Sequence, residues 1–148
     1  MTKQERIETI KKSIEEKKSA SEFWRDFYKT NDVGQVLLDD MIKTMAEEMS
    51  ESDDKHLAGN ACDWLLEHIG EMSWLKTHIS PMRAPRHCES EFVATRLSDG
   101  RWVGRDRYYG GGKHFHGEEV PFLETCIFLT RTVKLVEMEF FRPCLKGS

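Results

Sequence analysis

A chain of 148 residues, 39% hydrophobic and 32% charged, is long enough for one domain with a buried core. No apolar run approaches the ~20 residues of a membrane span, and the charged start MTKQERIETIKKS lacks the apolar centre of a secretion signal. A soluble cytoplasmic protein with no membrane partner is expected. The net charge of −4 argues against direct nucleic-acid binding.

That charge is uneven. Residues 1–60 hold 10 Lys/Arg against 14 Asp/Glu, whereas residues 61–148 are neutral. Within the neutral part, the stretch 83–116 carries seven Lys/Arg against four acids, a local cationic surface that suits a small anionic ligand. Ordinary mixed surface charge is the plainer reading. The four cysteines, Cys62, Cys88, Cys126 and Cys144, form no C-x-x-C pair, and free thiols are expected.

The first half reads as helices. Thr2 to Lys18 carries a narrow stripe, Ile7, Ile10 and Ile14, that packs on the domain or serves a partner. Ser21 caps a short helix bearing Phe23, Trp24, Phe27 and Tyr28. Asn31 or Asp32 caps a third helix with Val33, Val36, Leu37, Met41, Thr44 and Met45 inward. Its acidic face, Asp39, Asp40, Glu47, Glu48 and Glu51, is solvated or mimics nucleic-acid phosphates. Gly34 costs little in its first turn. A fourth helix starts at Ser52, Asp53 or Asp54 and buries Leu57, Ala61, Trp64, Leu65, His68, Ile69 and Met72. His68 on that face reads as a hydrogen-bonded core histidine, and Gly70 as a stop.

Two prolines in Ser80–Arg86 mark a connector. The chain is one α+β domain: a helical half over residues 1–80, a connector over 81–86 and a β half over 87–142. The helical half packs on a small antiparallel sheet made of a hairpin and a long C-terminal strand. Glu89–Leu97 and Arg101–Tyr108 form the hairpin, with Asp99-Gly100 as a two-residue type I′ turn. In that register Arg96, Arg105 and Arg107 share one face, which points to an anionic partner. Ile127–Phe141 reads as the long strand, or as two strands, with a change of phase that predicts a bulge or a break near Leu135 and Val136.

Chemistry concentrates after the second hairpin strand. Gly110, Gly111 and Gly112 can expose backbone N–H groups as an anion nest, to which Lys113, His114 and His116 add charge. The hydroxyl that follows the lysine of a P-loop is missing. His114-x-His116 with His87, Cys88 or Cys126 matches no standard zinc spacing, so neither metal nor cofactor is expected. The candidate ligand-binding set is Arg105, Arg107, Tyr108, Tyr109, Gly110, Gly111, Gly112, Lys113, His114 and His116.

Tyr108 to His114, with Trp102 before it, resembles small phage-encoded proteins of unassigned function that carry a Y-[WY]-Y-G-G-G-K-H-type motif. In that group an acidic turn, a [PD]-[WF]-[ML]-E segment and a final strand follow, matched here by Glu118, Glu119, Pro121, Phe122, Leu123 and Glu124 and by a strand ending at Phe140 and Phe141. Phe115, His116, Arg105 and Arg107 depart from the pattern. The resemblance implies a phage origin and a role against the bacterial host or its defences, and it implies no catalytic residues. The expected function is a non-enzymatic binding protein that inhibits or sequesters a host factor through the Gly-rich loop. Its partner is a host protein or a nucleotide-like anion, and a homo-oligomer is compatible. Two alternatives stand: a phosphate-ester enzyme using His114 or His116, and an acidic nucleic-acid mimic using the helical half.

Overall fold

The computed structural model describes residues 1–82, 89–109 and 123–144. Four helices, α1 (Lys3–Ala20), α2 (Glu22–Phe27), α3 (Asp32–Glu48) and α4 (Glu51–Glu71), precede a four-stranded antiparallel sheet. Its strands, β1 (Leu75–Lys76), β2 (Glu89–Arg96), β3 (Trp102–Tyr109) and β4 (Ile127–Leu129), lie in sequence order. The α+β architecture expected from the sequence is observed.

The helices start where short polar side chains can take orphan N–H groups. Thr2 accepts from Glu5 N, Ser21 from Trp24 N, and Asn31 from Gly34 N. At α4 the cap is Ser50, earlier than expected, because Asp53 reaches back and accepts from its backbone N–H at 3.0 Å. The helix also runs through Gly70 to Glu71.

The narrow isoleucine stripe of α1 packs within the chain: Ile10 and Ile14 are buried with Leu37, Met41, Ile42, Leu57, Leu65 and Ile69. Charge fixes the same helix from outside. The Arg6 guanidinium meets Asp54 at 2.6 Å, and the N-terminal ammonium meets it at 2.9 Å. Together they hold the Asp54 carboxyl down at about 2. Along the acidic face of α3, Glu47 pairs with Lys3, and Asp39 accepts from Gln35 and sits 4.0 Å from Lys11.

Helices and sheet are joined at the start of α3. Besides capping, Asn31 donates through Nδ2 to the carbonyls of Glu124 at 3.0 Å and Cys126 at 2.8 Å. Gly34 is required there rather than merely tolerated. A Cβ on it would sit 1.8 Å from the Leu123 carbonyl oxygen, inside any contact distance. The backbone of the 3-10 turn Leu123–Thr125 therefore seats directly on α3.

Two sequence expectations fail in the sheet. The hairpin loop has three residues, Ser98 to Gly100, and Leu97 N–H bonds the Arg101 carbonyl at 2.8 Å. Gly100 alone supplies the left-handed residue that such a loop needs, at φ 93°. A tertiary contact holds Ser98 in the loop: Asp40 of α3 accepts from its backbone N–H at 3.2 Å and from its hydroxyl. Every cross-strand pair thereby shifts by one, so that Arg96 faces Trp102 and Val93 faces Arg105. The other failure is the long final strand. β4 holds three residues, and residues 130–144 continue without regular structure.

Candidate functional site

The shift of register separates the three arginines, because residues directly opposed in a ladder share a face. Arg105 and Arg107 lie on the face of Val93, Thr95 and Val103, whereas Arg96 lies on the face of Ala94, Trp102 and Gly104. The expected cationic face does not form.

Arg105 is 1% exposed, a core residue. Its guanidinium lies 4.1 Å from the centre of the Trp74 ring and donates to the Asp106 carbonyl at 3.2 Å. Trp74 in turn donates from its indole to Ile69 O at 2.9 Å, which ties the end of α4 to the sheet. Asp106 is fully buried and accepts from Met82 N at 2.8 Å. Arg107 is neutralised by Glu91, which it meets at 2.6 Å, with Lys76 also 3.6 Å from that carboxylate. Tyr108 and Tyr109 close β3 opposite Ser90 and Glu89. Gly110, Gly111, Gly112, Lys113, His114 and His116 lie outside the described residues, as do His87 and Cys88. Cys126 is fully buried, and burial pushes its thiol up to about 12, so it stays protonated at neutral pH. Among the described residues no cluster of His, Cys, Asp or Glu is placed to hold a metal ion.

A different feature emerges at the turn end of the hairpin. A cleft of about 560 Å³ opens between α3, the end of α4, β1 and the hairpin. That volume is in the range of small-ligand sites. Met41, Met72, Leu75 and Trp102 give it apolar walls. Arg96 and His68 enter the same cleft. Arg96 is exposed and has no ion-pair or hydrogen-bond partner among the described residues. The imidazole of the half-buried His68 likewise has no hydrogen-bond partner among the described residues, so it is not the satisfied core histidine expected from its helical position. Asp40, the acid of this lining, is engaged by Ser98. A free guanidinium and an imidazole over apolar walls suit an anionic ligand with an apolar or aromatic body.

The sequence carries one faint signal for this cleft. Thr44, Met41 and His68 occupy helix positions that read as core, and only the packing of α3 and α4 against the hairpin leaves them at an opening. No protein-family model, no curated protein and no solved structure matches the chain. Among the described residues no helix is long and apolar enough to cross a membrane.

Proposed function

We propose that this is a non-enzymatic binding protein that captures an anionic partner, and that the cleft bordered by Arg96, His68 and Trp102 is where it does so. The observation that carries this reading is Arg96: a cation at the mouth of an apolar cleft with no ion-pair partner among the described residues, the lining's one carboxylate, Asp40, being held by Ser98. A guanidinium beside apolar walls gains from an incoming anion through charge-assisted hydrogen bonds. The phage-type motif at Tyr108 to His114 suggests that the partner is a host factor and that capture inhibits it. The Gly-rich segment Gly110 to His116 lies outside the described residues, and its part in binding is tested separately.

The test compares the full chain with Arg96→Glu, both checked for native melting. Each is incubated with bacterial lysate and with a panel of nucleotides and aromatic carboxylates, and bound masses are read by native mass spectrometry. Capture by the full chain that Arg96→Glu loses supports the reading. Equal capture by both places the binding surface elsewhere, and Lys113→Ala with His114→Ala then tests the loop.

A further inference from the structure

Among the described residues, exposed large apolar side chains are densest in the segment after β4. Val133, Leu135, Val136, Met138, Phe140 and Phe141 are between 66% and 101% exposed. Six large apolar side chains within nine positions are far denser than the scattered exposed residues of a typical surface. The segment 130–144 spans about 50 Å when extended.

Between the cations Lys134 and Arg142, the central residues 135–141 carry only apolar side chains and two carboxylates, and these match the cleft. In extended backbone Val136, Met138 and Phe140 point to one side, and Glu137 and Glu139 to the other. Glu137 and Glu139 have no ion-pair partner among the described residues. A cleft meets an extended chain on both sides, so Met41, Met72 and Leu75 would take the apolar edge and Arg96 and His68 the carboxylate edge.

The sequence of the segment disfavours a return into its own cleft. It departs from Leu129, which pairs with Trp102 at the cleft rim, and Arg131 is held over the Trp102 ring at 5.1 Å. Turning back would require a tight reversal just after Leu129. Residues 130–142, TRTVKLVEMEFFR, contain no Gly, Pro, Asn or Asp to make one. β-branched residues at Thr130, Thr132, Val133 and Val136 favour extended chain instead.

We infer that two copies of this chain exchange these segments, each arm lying in the other copy's cleft with Glu137 and Glu139 toward Arg96 and His68. The inference rests on the cleft being an anion-accepting site, as proposed above. A two-fold arrangement uses both arms and both clefts and closes on itself. It covers the exposed apolar side chains and neutralises Arg96 in one contact. Self-association then competes with any other anionic partner for the same cleft.

The test uses sedimentation equilibrium of the full chain over a wide concentration range, with far-UV circular dichroism to confirm folding. A monomer–dimer equilibrium is expected. Arg96→Glu alone, and Glu137→Lys with Glu139→Lys, should each weaken it by tenfold or more, about 1.4 kcal/mol. Combining all three substitutions should restore it, which loss of folding could not do. A monomer at every concentration overturns the exchange, as does a dimer indifferent to both charge reversals. A synthetic peptide of residues 130–144 separates this inference from the reading beneath it. If the chain is monomeric yet the peptide is displaced from it by an anionic ligand that Arg96→Glu no longer binds, only the exchange fails. If neither peptide nor anion binds, both fail.

Discussion

Arg105 and Arg96 lie on neighbouring strands of one hairpin, yet they have opposite surroundings. Arg105 is sealed against Trp74 and the Asp106 carbonyl, and Arg96 stands at an open cleft with no partner among the described residues. A buried guanidinium is kept only where packing and hydrogen bonds offset its desolvation, so Arg105 belongs to the frame. An exposed one held beside apolar walls is available to a ligand. Charge counted along a sequence cannot tell the two apart.

The largest effect expected from that contrast is on stability. Arg105→Ala removes a packed cation and leaves Trp74 and Asp106 without it, and should cost about 3 kcal/mol in urea unfolding. Arg96→Ala should change stability by less than about 0.5 kcal/mol while abolishing anion capture. Equal stability losses at the two sites would erase the distinction. Gly34→Ala tests the frame where the 3-10 turn meets α3. The methyl cannot fit 1.8 Å from the Leu123 oxygen, and a loss of about 2 kcal/mol is expected.

Smaller effects sharpen the same division. In the native state an alkylating reagent should modify exposed Cys144 and spare Cys126, whose burial keeps it a thiol. Labelling of Cys126 without denaturant, followed by mass spectrometry, would show that the frame opens there. The helical frame should also respond to acid through Asp54. Its folded carboxyl lies at about 2 against an ordinary 3.8, so folding favours the ionised form. That contribution is complete above pH 3.8 and disappears as pH falls through about 2. Asp54→Asn should remove this part of the acid dependence, as seen in melting curves recorded across that range.

Local rules carried much of the architecture. Ser21 and Asn31 announced helix starts, the i, i+4 rhythm from Leu57 to Ile69 marked a buried face, and Asp99-Gly100 marked a hairpin. Each depends on groups a few residues apart, so the sequence holds the whole cause. The hairpin register does not. It turns on Asp40 gripping Ser98 across the domain, and that one contact moves Arg96 away from the side of Arg105 and Arg107. The final strand misled for a related reason. Residues from Ile127 to Phe141 have strand propensity throughout, but a strand needs a neighbour to bond. β3 offers partners only at Trp102, Val103 and Gly104 before it reaches its turn.

By itself the sequence determined the helices, the caps at Ser21 and Asn31, the presence of a hairpin and the α+β class, because these follow from side chains acting on nearby backbone. Only the tertiary structure decided which arginine is buried, that Gly34 is needed for a close backbone approach, and that His68 lines an opening rather than a core. Those properties belong to pairs of residues far apart in the chain, and their energies exist only once the helices and the sheet have met.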